Sequence, residues 1–208
     1  HRPDAGKGRA LQWAADRLRQ GLVVFLDDDT RVPRRVLVEY SSAARRFGPG
    51  HFFGGPMGVD YEPGGEPATW LRRYLPGSAK GWNPSDPNAP VGPSNWFRGA
   101  NFAVFAEDIL AVGGLRGDIG PGSHSAGTED SPTGLEDDLQ ARLLQSGCVP
   151  VFLEEAVVWH WVPQARCSED WALHREFRSC TSCAVRQIRH ESGFKRTALR
   201  AFQWGRYL

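Results

Sequence analysis

Three consecutive aspartates, Asp27, Asp28 and Asp29, directly follow a short apolar run at residues 22–26. The run is preceded by Gly21 and is too short for a helix, so it is predicted to form a buried strand. Carboxylates at the carboxyl end of such a strand lie where open α/β sheets bind ligands. Because neighbouring carboxylates repel one another, the cluster needs a cation or another strong positive partner, and oxygen ligands favour Mg²⁺ or Mn²⁺. The alternative is an acidic turn that leads into the next helix.

A second acidic cluster, Glu136-Asp137-Asp138, begins a predicted helix. One interpretation is local, because Thr133 and Glu136 have the spacing of a capping box and acids in a first turn favour the helix dipole. The other is chemical, because a carboxylate at this place could accept a proton as a general base. The sequence leaves both interpretations open.

His160 and Lys7 could lie beside these carboxylates in one site. His160 lies in an apolar segment, where a packed histidine is commoner than a ligand, but an imidazole would favour a transition metal such as Mn²⁺. Lys7 begins a helix within the sequence Gly-Lys-Gly-Arg, which could bring backbone N–H groups and a cation to a phosphate.

Alternating apolar patterns predict the elements that position these residues. A helix over 7–20, the strand 22–26, a helix from Pro33 to Phe47 and a strand at 51–59 that Gly54-Gly55 interrupts indicate a parallel sheet with helices on its faces. The long Gly-, Pro- and Trp-rich segment 60–98 is predicted to be a functional loop. The later elements are a strand at 101–105, a helix at 107–112, a helix through Leu135, Leu139 and Leu143, strands at 149–153 and 156–159, and a polar helix at 168–190.

Composition limits the classes of function. The chain has 208 residues, of which 40% are hydrophobic and 24% charged, as in an ordinary globular domain. A net charge of +1 argues against a nucleic-acid partner. No apolar run approaches the roughly 20 residues that span a bilayer.

Five segments occur in a familiar order. They are Gly6–Leu11 with Val24–Asp29, then Phe97–Val104, Ala111–Leu115, Gly134–Gly147 and Val157–Pro163. In this order they resemble the DxD, G-x-N-x-A, x-x-G-G-F, G-x-E-D-x-D-L-x-x-R-L and V-x-H-x-V-P motifs of family 2 glycosyltransferases with the GT-A fold. The resemblance covers about residues 6–180.

The resemblance implies an α/β GT-A fold, a Rossmann-like mixed sheet with helices on both faces. Residues 1–208 would form one glycosyltransferase-like domain, with 168–208 as its carboxyl-terminal helical segment. The family's amino-terminal strand and helix, which hold the nucleotide base, have no counterpart here, so the domain is expected to be truncated. The Q-x-x-R-W motif of processive enzymes is also missing, which implies transfer of a single sugar.

The implied activity is inverting, metal-dependent transfer from a UDP- or GDP-sugar to a glycan, a lipid or another hydroxyl acceptor. Mn²⁺ or Mg²⁺ would be the cofactor, and the expected location is the cytoplasm or the inner face of the cell membrane, through segments outside this sequence. A non-catalytic binding module and a metal-dependent nucleotidyltransferase are the alternatives.

The resemblance also implies a role for each candidate residue. Asp29, Asp27 and His160 would bind the metal. Asp137 would be the general base, with Glu136 as second choice, because the second aspartate of the family motif falls on Leu139 or, with a one-residue shift, on Asp138. Lys7, Asp27 and Asp28 would contact the nucleotide sugar, and Arg98 and Asn101 would line the pocket for the sugar or the acceptor.

Overall fold

The apolar runs of the sequence form two sheets instead of one. The computed structural model describes residues 6–84, 86–92, 95–120 and 133–190, with side chains of the last helix described to residue 184. The helices are α1 (Lys7–Leu18), α2 (Arg34–Phe47), α3 (Thr69–Arg72), α4 (Gly77–Lys80), α5 (Ala106–Ala111), α6 (Leu135–Gln145) and α7 (Glu169–His190). The strands are β1 (Leu22–Phe25), β2 (Thr30–Arg31), β3 (His51–Gly54), β4 (Met57–Tyr61), β5 (Phe102–Phe105), β6 (Val149–Phe152) and β7 (Val158–Val162), and a 3₁₀ turn spans Gln164–Cys167.

The larger sheet has the strand order β1-β5-β3-β6. Strand β5 is antiparallel to both of its neighbours, whereas β3 and β6 are parallel. The parallel sheet predicted from the helix–strand alternation is therefore wrong, whereas the α/β fold with mixed strand directions that the resemblance implies is confirmed. The helix–strand alternation does give β1 and β3 the same direction, but β5, from much later in the chain, lies between them.

The smaller sheet has the order β2-β7-β4 and forms because the run at 51–59 divides between two sheets. The chain turns at Gly54-Gly55-Pro56, so β3 joins one sheet and β4 the other. A Cβ on Gly55 would lie 2.3 Å from the backbone oxygen of Ala156, so only glycine allows this close approach. Strand β7 begins at Val158, two residues later than predicted, and this brings His160 into the smaller sheet.

Helices cover both faces of the larger sheet, as predicted. Alternate side chains of its strands point to opposite faces. One face packs against α1, α5 and α6 around Phe52, Phe102 and Leu139, and the other packs against α2 around Tyr40 and Phe53. Strand β5 is buried along its whole length, which fits its central position.

The segment 60–98 was predicted to be a loop, but it contains the short helices α3 and α4. These helices pack against β7 and α7 through Leu71, Leu75, Ala79, Val162 and Ala172. Among the described helices, none combines the length and the apolar character that crossing a bilayer requires. The Gly-Pro-Gly and Ser-His-Ser sequences predict a flexible stretch from Arg116 to Thr133, and its residues 121–132 lie outside the described residues.

Candidate metal centre and its surroundings

The structure brings Asp27, Asp29 and His160 together at the edge of the two sheets. Residue Thr30 pairs with His160 between β2 and β7, and the backbone N–H of Trp161 donates to the carbonyl oxygen of Asp29 at 2.8 Å. This pairing holds the His160 Nε2 atom 3.3 Å from the Asp29 Oδ1 atom. One ligand atom from each of the three residues lies within 4.8 Å of the others.

The donor set of this cluster is suited to a divalent cation. Two carboxylates and an imidazole nitrogen are ligands that Mn²⁺ accepts, and both carboxylates are partly accessible while His160 is buried. Asp28 is exposed and takes no part in the cluster, because the chain turns between β1 and β2. The first and third aspartates of the run therefore lie beside His160, whereas the second is at the surface.

Two basic side chains compensate the charge of these carboxylates. The Lys7 Nζ atom lies 2.9 Å from Asp27 Oδ1 and 2.7 Å from Glu136 Oε1. Burial by itself lowers the pKa of Lys7, but the two carboxylates outweigh it and raise the pKa well above its ordinary value. The Arg166 Nη1 atom lies 3.3 Å from Asp29 Oδ2. Lys7 thus reaches the site, but as a partner of carboxylates.

Two of the three acids at the start of α6 form ion pairs with different basic residues. Glu136 forms the ion pair with Lys7. Asp138 is 2% exposed and pairs with Arg142 at 2.8 Å, and Arg142 also donates to the carbonyl oxygens of Val112 and Gly114. Asp138 is therefore a structural residue that ties α6 to the loop after α5.

The capping box predicted between Thr133 and Glu136 does not form. The residue that caps α6 is Gly134, which has a φ of 89° and no capping side chain. The backbone N–H of Thr133 instead donates to the Ser182 hydroxyl on α7 at 2.8 Å. Of the two local effects predicted for this acidic turn, only the favourable interaction of its carboxylates with the helix dipole remains.

Asp137 lies among arginines. It interacts electrostatically with Arg98, on the chain segment that precedes β5, and with Arg175 on α7. Burial lowers the pKa of the Arg98 guanidinium, and the Asp137 carboxylate acts in the opposite direction. Of the two candidate bases, Asp137 is the one outside the Lys7 ion pair.

Arg98 stands between the acidic turn and a cavity. The next residue, Gly99, approaches α6 so closely that a Cβ there would lie 2.5 Å from the Glu136 carboxyl carbon. On its other side, the Arg98 guanidinium lies 5.1 Å from the centre of the Trp82 ring. Arg98 therefore lies next to both the acidic turn of α6 and the cavity at Trp82.

Asn101, which the resemblance assigns to the pocket for the sugar or the acceptor, forms a buried network of hydrogen bonds. Its side chain is fully buried and accepts a hydrogen bond from the Tyr40 hydroxyl at 2.7 Å. It also donates to the carbonyl oxygens of Pro56 at 2.9 Å and Ala156 at 2.6 Å. Asn101 thus ties α2 to the turn between β3 and β4 and to the segment before β7.

Three arginines near the candidate site, Arg166, Arg175 and Arg178, are absent from the residues predicted from the sequence. Arg166 pairs with Asp29, and Arg175 is close enough to Arg178, Asp137 and Arg166 to interact electrostatically with each. Burial and then Arg178 lower the pKa of Arg175, while Asp137 raises it. The spacing of Arg175 and Arg178 on a helix was the available signal, because residues three apart share one face.

No family model, curated protein or solved structure matches this chain. The resemblance to family 2 glycosyltransferases is therefore carried by the sequence motifs alone and stays a prediction. The mixed α/β architecture is compatible with a Rossmann-like fold. Its functional interpretation has to come from the site geometry.

Proposed function

We propose that this chain has the GT-A fold and performs inverting, metal-dependent transfer of a sugar from a nucleoside diphosphate sugar to a hydroxyl acceptor. The observation that carries the proposal is the convergence of Asp27, Asp29 and His160 from distant parts of the chain. Three residues that the sequence motifs assign to one metal site are neighbours in space. An arbitrary acidic turn would have no reason to meet an imidazole.

The donor set and the surrounding charges support binding of a diphosphate. A divalent cation held by these three residues would neutralise negative charge on the leaving diphosphate. Arg166 is already at the cluster, and Arg175 and Arg178 extend the positive charge along α7. Arginine guanidinium groups bind phosphate oxygens in bidentate geometry, so these arginines would hold and orient the donor.

Asp137 is proposed as the general base. Its carboxylate would accept the proton of the acceptor hydroxyl as the oxygen attacks the anomeric carbon. The bond from that carbon to the diphosphate oxygen breaks in the same step, and the configuration inverts. Asp137 interacts electrostatically with Arg98 and Arg175, while Glu136 is held by Lys7.

The test is Mn²⁺-dependent binding of UDP and GDP, measured by isothermal titration calorimetry on this chain. Asp29→Asn should weaken Mn²⁺-dependent binding by at least about tenfold, because a ligand is lost. Asp16→Asn is the matched control, since Asp16 is exposed on α1 and is not a predicted site residue, and it should bind like the unaltered protein. Equal binding by the two variants, or binding that does not need Mn²⁺, would refute the metal site.

Product analysis separates the proposed reaction from its alternatives. With a nucleotide sugar and Mn²⁺ but no acceptor, slow hydrolysis to nucleoside diphosphate and free sugar is expected. Release of sugar phosphate on addition of pyrophosphate would indicate a nucleotidyltransferase instead. Binding with no turnover, with or without added hydroxyl acceptors, would indicate a non-catalytic module.

A further inference from the structure

We propose that the cavity between α3, α4 and α7 binds the acceptor, and that this acceptor is amphipathic, with an apolar group and an anionic group close to the reacting hydroxyl. The inference rests on the proposed function for the identity of the reaction. The ligand class itself follows from the walls and the charges of the cavity.

The cavity has a volume of about 710 Å³, which is enough for an organic group of substantial size. Its walls are mainly aromatic and aliphatic. They include Trp70, Leu71, Tyr74, Leu75, Trp82 and Leu173. A sugar ring could stack on one of these aromatic faces, but an acceptor made only of sugars would leave the aliphatic walls without apolar contacts.

The mouth of the cavity exposes unusually large apolar side chains. Trp70 is 49% exposed, Tyr74 58% and Leu173 71%, and Phe177 follows Leu173 one turn later on α7 at 70%. Single exposed apolar residues are ordinary, but a group of them around a concavity is typical of a binding surface. The apolar part of the ligand would cover these side chains.

The charges of the cavity are divided between its two sides. Arg73, Lys80 and Arg98 lie on the side of α3, α4 and the segment before β5, and Glu169 and Glu176 lie on α7. Lys80 already donates to the carbonyl oxygen of Arg73 at 3.0 Å. The positive side is therefore the place for an anionic group of the ligand.

Arg98 is the strongest candidate for that contact. Its Nε atom is buried and makes no hydrogen bond to any described part of the protein. A buried N–H donor without an acceptor is costly, and a phosphate or carboxylate oxygen would satisfy it with a charge-assisted hydrogen bond. Burial also lowers the pKa of Arg98, and an anion nearby would offset this effect.

Arg98 also connects the cavity with the proposed base. It lies over Trp82 inside the cavity and interacts electrostatically with Asp137 on α6. A ligand anchored by its anionic group at Arg98 would thus place a nearby hydroxyl toward Asp137. The apolar group would then lie against the cavity walls at Trp70 and Leu173.

Calorimetric titration with octyl phosphate, below its micelle-forming concentration, tests the ligand class. Octyl phosphate should bind more tightly than octyl glucoside, which lacks the anion, and than inorganic phosphate, which lacks the apolar chain. Phenyl phosphate is the second arm, because tighter binding of the aryl ester would indicate a soluble aromatic acceptor and tighter binding of the alkyl ester a lipid. Failure of both esters to exceed inorganic phosphate would overturn the proposal.

Two variants locate the binding. Arg98→Met should reduce the affinity for octyl phosphate about tenfold or more while leaving that for octyl glucoside nearly unchanged. Leu173→Ser should weaken both by severalfold, because apolar contact is lost. Val38→Ser is the matched control, since Val38 is 53% exposed on α2 and does not line the cavity. Equal effects of Leu173→Ser and Val38→Ser would place the octyl chain elsewhere.

Mn²⁺-dependent binding of UDP, measured on the same proteins, keeps the two proposals separate. Leu173→Ser should not change it, because Leu173 lines the cavity and none of the three proposed metal ligands does. Binding of octyl phosphate without any Mn²⁺-dependent nucleotide binding would preserve the cavity as a site for amphipathic anions but reject glycosyl transfer. The opposite result would reject the cavity assignment alone.

Discussion

The Nε2 atom of His160 lies 3.3 Å from Oδ1 of Asp29, although the two residues come from distant parts of the chain. The contact depends on the antiparallel pairing of β2 with β7, in which Thr30 is opposite His160. Because backbone hydrogen bonds fix this register, the imidazole is presented to the carboxylates in advance of any ligand. Such preorganisation favours metal binding at this place.

Replacing His160 should change which cation the cluster prefers. In His160→Gln the donor set becomes all oxygen, so we expect the affinity for Mn²⁺ to fall more than the affinity for Mg²⁺. Competition titrations with both ions measure the ratio. The control is His174→Gln, at an exposed position on α7. An unchanged ratio in His160→Gln would show that the imidazole is not a ligand.

Asp137→Asn and Glu136→Gln should have different effects. Loss of a general base costs about 10²–10⁴-fold in rate, so Asp137→Asn should reduce sugar transfer strongly with little change in melting temperature. Glu136→Gln removes the ion pair with Lys7, so its main effect should be on stability. Turnover and thermal unfolding, measured on both variants, distinguish the roles. If Glu136→Gln is the inactive variant, the base is Glu136.

Lys7→Met should raise the affinity for Mn²⁺ in the absence of nucleotide. The ammonium group neutralises Asp27 at 2.9 Å, and its removal frees that carboxylate for a cation. The same change leaves Glu136 without its cation and should reduce stability by about 1–3 kcal/mol. The double variant Lys7→Met/Glu136→Gln should recover much of that stability. Weaker Mn²⁺ binding in Lys7→Met would contradict competition between Lys7 and the metal.

Gly99→Ala should destabilise the protein by about 1–3 kcal/mol. The added methyl group would lie 2.5 Å from the Glu136 carboxyl carbon and would push this side chain away from Lys7. Gly92→Ala is the control, because a Cβ there meets nothing within 4 Å. Equal melting temperatures for the two variants would show that the contact between Gly99 and α6 is not tight.

Asn101→Ala should lower stability by about 3 kcal/mol, because it removes three buried hydrogen bonds and leaves the Tyr40 hydroxyl and the Ala156 carbonyl oxygen without the amide that satisfies them. For a chain of this size that corresponds to a decrease of roughly 6–12 °C in melting temperature. Asn88→Ala, at an exposed position, is the control. A fall in nucleotide affinity without a fall in stability would restore the predicted role of Asn101 in ligand binding.

The sequence by itself determined several elements of the fold. The helices at 34–47 and 135–145 and the strands at 22–25, 51–54 and 102–105 follow from apolar periodicity and from glycines or prolines at their ends. These signals are local, so they can be recognised without knowledge of the tertiary structure. The acidic run after β1 and the acidic turn of α6 were visible for the same reason.

Only the tertiary structure decided which of the clustered acids share a site. Glu136, Asp137 and Asp138 point in different directions, because successive residues of a helix are rotated by about 100°. Glu136 therefore pairs with Lys7 and Asp138 with Arg142, while Asp137 lies near Arg98 and Arg175. Likewise Asp27 and Asp29 reach His160 while Asp28 faces outward. Strand order is set by long-range pairing, which places β5 between β1 and β3 and His160 beside Thr30. No local pattern contains that information.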